Sequence, residues 1–115
     1  MKIRIKGNSL RYRLTKTDVL RFATEGRISD QIDFGGPTLT YTMEHTDNDQ
    51  LSATFKNDAI TLFMPKSMVA EWVNTDIVGF ENNKGPLYLL VEKDFTCLDN
   101  VTEDQSDNYP NPLAQ

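Results

Sequence analysis

Eight basic side chains fall within the first 27 residues (Lys2, Arg4, Lys6, Arg11, Arg13, Lys16, Arg21, Arg27), against two acids, Asp18 and Glu25. Residues 28–115 hold four bases and fifteen acids, so a net charge of −5 conceals a segment of +6 followed by one of −11. Lys2-Ile3-Arg4-Ile5-Lys6 and Leu10-Arg11-Tyr12-Arg13-Leu14 alternate strictly between polar and apolar, which is the period of a half-buried strand. Gly7-Asn8 between them suits a type II′ hairpin turn, with glycine at its first central position. In that register Ile3, Ile5, Leu10 and Tyr12 share one face, and Lys2, Arg4, Arg11 and Arg13 share the other. Guanidinium forks match the planar geometry of phosphate and carboxylate, so Arg4, Lys6, Arg11 and Arg13 are the candidate anion-binding residues. Like charges directly across a ladder repel, and such a face therefore calls for an anion. Carboxylates elsewhere in the fold, the acidic C-terminal segment or an outside ligand could each supply it.

Glu92 and Asp94, after the last strong strand, project to one side. They are candidate acid–base groups or, alternatively, pairing partners of the basic strands. No catalytic or metal-binding residue is identified beyond them. Cys97 is the only cysteine and His45 the only histidine, and nothing in their placement brings them together as a nucleophilic dyad. Glu44, His45, Asp47 and Asp49 lack the spacing and glycine of a calcium loop and read as a solvated turn. Gly35-Gly36-Pro37 is too short for a phosphate loop. No cofactor signature is present.

The elements that must carry these residues follow from periodicity and punctuation. Thr15 to Asp18 has the form of a capping box. Val19, Leu20, Phe22 and Ala23 supply an apolar stripe, and Gly26 a stop, predicting a helix over about 16–25. Strands are expected at Ile28 to Phe34, Leu39 to Met43, Leu51 to Phe55 and Ile60 to Met64. Pro65 then suits the first turn of a second helix over about 66–74, with Met68, Val69, Trp72 and Val73 facing the core. Ile77 to Phe80 and Leu87 to Val91 complete the strands. The pattern predicts an α+β protein: a single antiparallel-rich sheet, curled or barrel-like, with both helices on one side. A weak echo recurs at an offset of fifty residues, where Tyr12 to Thr17 and Val19…Phe22 align with Leu62 to Ser67 and Val69…Trp72. It would make each half strand, helix, strand, strand, although such matches also arise by chance in α+β chains.

One domain over residues 1–98 and an acidic, proline-containing tail over 99–115 are expected. No apolar run approaches the ~20 residues of a membrane span, and no apolar stretch follows the N-terminal charges as in a signal peptide. One cysteine excludes an internal disulfide and a cysteine-based zinc cage and favours a reducing, cytoplasmic setting. A pI near 4.7 argues against a dedicated nucleic-acid binder.

Met1-Lys2-Ile3-Arg4-Ile5-Lys6-Gly7-Asn8-Ser9-Leu10-Arg11 through Leu14-Thr15, then Phe34-Gly35-Gly36, Glu92-Lys93-Asp94-Phe95-Thr96-Cys97-Leu98 and Asp107 to Pro112, resemble a family of short uncharacterised bacterial proteins, a domain of unknown function. The resemblance runs the length of the chain and implies a bacterial, cytoplasmic protein to which the tail block belongs. It implies no catalytic or binding residue. The expectation is a non-catalytic binding or interaction module with a cationic hairpin, its partner a protein or a small anionic ligand. The alternative is an enzyme or sensor for a phosphate-bearing small molecule clamped by the N-terminal Arg and Lys side chains.

Overall fold

The computed structural model describes residues 1–95. Cys97 and the acidic tail, with the expectations placed on them, lie outside the described residues. In chain order the elements are β1 (Lys2–Lys6), β2 (Ser9–Leu14), α1 (Lys16–Glu25), β3 (Arg27–Asp33), β4 (Thr38–Thr46), β5 (Ser52–Lys56), β6 (Ala59–Pro65), α2 (Lys66–Asn74), β7 (Gly79–Asn82) and β8 (Tyr88–Lys93).

The class is α+β, but there are two four-stranded sheets where one was expected, ordered β1-β2-β8-β7 and β3-β4-β6-β5. Each helix carries the chain from one sheet to the other: α1 leads from β2 to β3, and α2 from β6 to β7. Four antiparallel hairpins are joined by two parallel pairs, β2 with β8 and β4 with β6. Alternation along a strand marks which face is buried. It carries no record of which distant strand lies beside it.

The repeat is also longer than the sequence echo suggested. Each half is strand, strand, helix, strand, strand, and each half lends one hairpin to each sheet. Tyr12 pairs with Val91, which pairs with Phe80; Leu62 pairs with Met43, which pairs with Ile28. Equivalent positions are therefore 50 apart for 12 and 62, 48 apart for 43 and 91, and 52 apart for 28 and 80. Loop hydrogen bonds repeat in the same register: Tyr88 N–H to the Asn8 carbonyl matches Thr40 N–H to Asp58, both 3.0 Å, and His45 N–H to Gly26 matches Lys93 N–H to Val78.

Local chemistry accounts for the elements. Gly7 has φ 54° and Asn8 does not share its sign, as a type II′ turn requires, whereas Asn57 and Asp58 are both left-handed, the type I′ pattern. Thr15 caps α1 through the Asp18 N–H while the Asp18 carboxylate accepts from the Thr15 N–H. Gly26 ends α1 in the left-handed conformation, and a Cβ there would stand 2.7 Å from the His45 ring. Pro65 belongs to β6 and flanks α2, which starts at Lys66 without a side-chain cap. The Glu44-His45 stretch, expected in a turn, closes β4 instead.

Inward-facing Leu10, Tyr12, Leu14, Met43, Leu62, Met64, Leu89 and Val91 of both sheets form one core with Val19 and Phe22 of α1 and Val69 and Trp72 of α2. Two polar tips inside it are satisfied: the Trp72 Nε1–H donates to the Val78 carbonyl at 2.9 Å, and the Tyr12 hydroxyl to the Ile60 carbonyl at 3.3 Å. The helices close one end of the molecule, and the four hairpin turns gather at the other.

Candidate functional site

The cationic residues lie where the strand register puts them, on the outer face of the first sheet. Lys2 stands opposite Arg13, which neighbours Glu92. Arg4 stands opposite Arg11, which neighbours Leu90; Lys6 pairs with Ser9 beside Tyr88. Arg4, Lys6, Arg11 and Arg13 thus share one surface, and Glu92 and Asp94 adjoin it.

Glu92 holds the face together. Its Oε1 accepts from the Arg13 Nε at 2.8 Å and lies 3.3 Å from the Arg11 Nε. The Glu92 side chain is 17% exposed and those of Arg11 and Arg13 are 28% and 38%, so the cluster is screened only in part by water. Asp94 continues the ladder past β8 by donating its N–H to the Leu14 carbonyl at 2.8 Å, and its carboxylate meets the Lys2 Nζ at 2.9 Å. The hydrogen bond from Lys2 outweighs the opposing effect of burial and, with the charges of Lys2 and Arg13, holds the Asp94 carboxyl below its ordinary value. The phenol of Tyr88 donates to Glu81, and that hydrogen bond raises the Tyr88 pKa above the usual 10.0.

The repeat supplies an internal comparison for this face. On the second sheet, fifty residues on, the positions of Lys2, Arg4, Arg11 and Arg13 are taken by Ser52, Thr54, Thr61 and Phe63. Only Lys6 has a cationic counterpart, Lys56. Arg11 and Arg13 thus neighbour β8, whereas Thr61 and Phe63 neighbour β4 in the same register. Glu44, the counterpart of Glu92, pairs across to Arg27 on β3 at 3.2 Å. One scaffold therefore supports a charged face in one sheet and a hydroxyl-rich face in the other.

Two features escaped sequence reasoning. The N-terminal ammonium lies 2.8 Å from the Asp18 carboxylate and 3.6 Å from that of Asp30. Burial alone would raise the Asp18 carboxyl, but hydrogen bonds from that ammonium and from the Thr15 backbone and hydroxyl bring it below its usual value. The capping box made Asp18 visible in the sequence, though not its second partner. The other feature is a cleft of about 420 Å³ between the sheets at the turn end, lined by Ile5, Leu10 and Leu87 on one side and Leu39, Phe55 and Ile60 on the other. Ile5 and Phe55, Leu10 and Ile60, and Leu39 and Leu87 are equivalent pairs of the repeat. Strict alternation made Ile5 and Phe55 look like ordinary core, so the signal for a cleft was absent.

Two of the acids expected in a turn are paired: Glu44, within β4, with Arg27, and Asp47 with Lys66 at 3.1 Å. His45 packs its ring over Gly26. Among the described residues no three His, Cys, Asp or Glu side chains converge as a metal site. No helix among them is long and apolar enough to cross a membrane.

No curated protein and no solved structure matches the chain. A family of unknown function does, over residues 1–113, and the chain belongs to that family, DUF7009.

Proposed function

We propose that the protein is a non-catalytic binding module that docks an acidic partner segment on the cationic face of its first sheet. The observation that carries this reading is the contrast between equivalent faces. Ser52, Thr54, Thr61 and Phe63 stand on the second sheet in the same framework, so the fold does not need Lys2, Arg4, Arg11 and Arg13 at those places. Opposed like charges cost stability in a ladder, and a cost the scaffold can avoid points to use. Glu92, fastened between two arginines, serves here as a positioning group that spreads the guanidinium forks. That role already engages its carboxylate with Arg11 and Arg13, which disfavours the enzyme or sensor reading. The setting we propose is a bacterial cytoplasm, the reducing compartment that a single cysteine suits.

The test is a titration of the full chain with a hexaglutamate peptide, followed by amide chemical shifts. Shifts should map to β1 and β2, weaken steeply with salt and vanish in Arg4→Glu/Lys6→Glu, whose substituted side chains are exposed. A chain that ignores the peptide but binds pyrophosphate or a nucleotide and turns it over would overturn the module in favour of an enzyme. Indifference to every anion would overturn both.

A further inference from the structure

The turn end of the molecule carries an apolar surface that the cationic face reaches only at Lys6. Ile5, Ile32, Phe34 and Phe55 are exposed by 61%, 44%, 65% and 68%, and all four stand at this end. They supply roughly 450 Å² of exposed side chain, taking about 200 Å² for each large apolar group. A patch of this size matches the largest on a typical monomer, which is often functional. Ile5 and Phe55 edge the intersheet cleft. Phe34 does not line it; it projects from the tight β3–β4 loop, where its N–H is fixed by the Pro37 carbonyl and the Gly35 N–H by Asp33. An exposed aromatic on a braced loop and an apolar cleft thus lie side by side on one surface, a knob and a hole carried by one chain.

We propose that this end is a homodimer interface in which Phe34 of each copy enters the intersheet cleft of the other. A knob and hole on the same chain can be satisfied twice by one two-fold axis, which closes the assembly at two copies. The area supports the occupant. Two copies would cover about 900 Å² from these four side chains alone, about three-quarters of the ~1,200 Å² at the lower end of stable interfaces before any contact by the turns that carry them. Charge supports it too. The end carries Lys6, Lys56 and Lys84 against Asp33 and Asp58, close enough to balance that two copies meet without strong repulsion, whereas a highly charged partner gains little there. A cleft of 420 Å³ has room for an aromatic ring flanked by Leu10, Ile60 and Leu87. Exposed aromatics seated in pockets are the usual anchors of such contacts.

Sedimentation equilibrium of the full chain, with Phe34→Ser and Phe55→Ser as variants, tests this. The wild type should dimerise with a Kd in the micromolar range. Each variant should weaken the dimer at least tenfold with an unchanged melting profile as monomer, since both side chains are exposed. In mixed isotope-labelled samples the Phe34 ring should give intermolecular contacts to the methyl groups of Leu10, Ile60 and Leu87. A wild type that stays monomeric at several hundred micromolar overturns the proposal, as does a dimer that Phe34→Ser leaves intact or one lacking those intermolecular contacts. A monomer that instead binds an apolar dye in a Phe55-dependent way overturns it in favour of a small-molecule cleft. None of these outcomes bears on the peptide titration of the cationic face.

Discussion

Replacing Glu92 with glutamine removes the charge that two arginines share while keeping the shape of the side chain. Before the change, Glu92 accepts a charge-assisted hydrogen bond from Arg13 at 2.8 Å and neutralises Arg11 at 3.3 Å. After it, Arg13 faces Lys2 and Arg11 faces Arg4 across the β1–β2 ladder without that carboxylate between them and the next strand. Hydrogen bonds to charged groups contribute about 1.5–3 kcal/mol each, and fully exposed pairs contribute about 0–1 kcal/mol. A cluster in which the carboxylate is 17% exposed and the arginines about a third lies between these limits. Glu92→Gln should therefore cost about 2 kcal/mol, or roughly 10 °C in melting temperature for a domain of this size.

Urea denaturation at low salt measures the loss, and a cycle with Arg13→Gln isolates the pair. The coupling should reach about 1 kcal/mol, because removing both partners leaves less unpaired charge than removing one. Sulfate or phosphate should restore more stability to Glu92→Gln than chloride at equal ionic strength, since only the former match a guanidinium fork. A loss below about 0.5 kcal/mol, or no coupling with Arg13, would refute the view that Glu92 organises the face.

Two further substitutions probe the frame. Gly26→Ala places a methyl in the His45 ring at a φ of 76°, so it should destabilise by about 2 kcal/mol or more, with Gly26→Ala/His45→Ala recovering the steric part but not the backbone strain; equal loss in both would refute the clash. Asp18 has a carboxyl pKa lowered by folding, so its contribution is present above the unfolded value near 4 and drains as pH falls through the folded value. Asp18→Asn should flatten the acid limb of stability below about pH 4 and cost about 1 kcal/mol at neutral pH through the charge lost opposite the N-terminal ammonium, and an unchanged acid limb would refute that pairing.

The first hairpin was legible in full because everything that fixes it is local. Alternation set its faces, Gly7 set its turn, and the register of Lys2 with Arg13 and Arg4 with Arg11 followed. The helices were legible for the same reason, through the Thr15–Asp18 box and the apolar stripes, although of the first stripe only Val19 and Phe22 are buried while Leu20 and Ala23 face outward. The two sheets were not, since β2 with β8 and β4 with β6 are parallel pairings between halves, and no periodicity encodes them. The echo at fifty residues faded after the helices because the link from α2 to β7 is longer than that from α1 to β3, which shifts equivalent positions to 52, and the β7–β8 hairpin is then shorter than β3–β4, which brings them to 48. Glu92 and Asp94 could be nominated as partners of the basic strands from their place after the last strand. That Glu92 serves two arginines at once depends on β2 and β8 being neighbours.

Differences between the two halves fall into two kinds. Inside, where Tyr12 replaces the pattern of Leu62 and Trp72 that of Phe22, each added polar atom has its own answer, the Ile60 carbonyl for one and the Val78 carbonyl for the other. The interior thus absorbs its asymmetry within the packing, as buried polar groups require. Outside, the exchange of Ser52, Thr54, Thr61 and Phe63 for Lys2, Arg4, Arg11 and Arg13 adds charge that the framework itself does not call for. Glu44 and Glu92 sharpen the point, because equivalent carboxylates turn to different strands: Glu44 to Arg27 at the sheet edge, Glu92 to the arginines of β2. Opposite Glu92, β7 carries Gly79, where a Cβ would stand 2.1 Å from the Val91 carbonyl oxygen, so no arginine could take the place that Arg27 holds opposite Glu44. The geometry of β7 therefore directs Glu92 toward β2, and the cationic face owes its carboxylate to a glycine on the far strand.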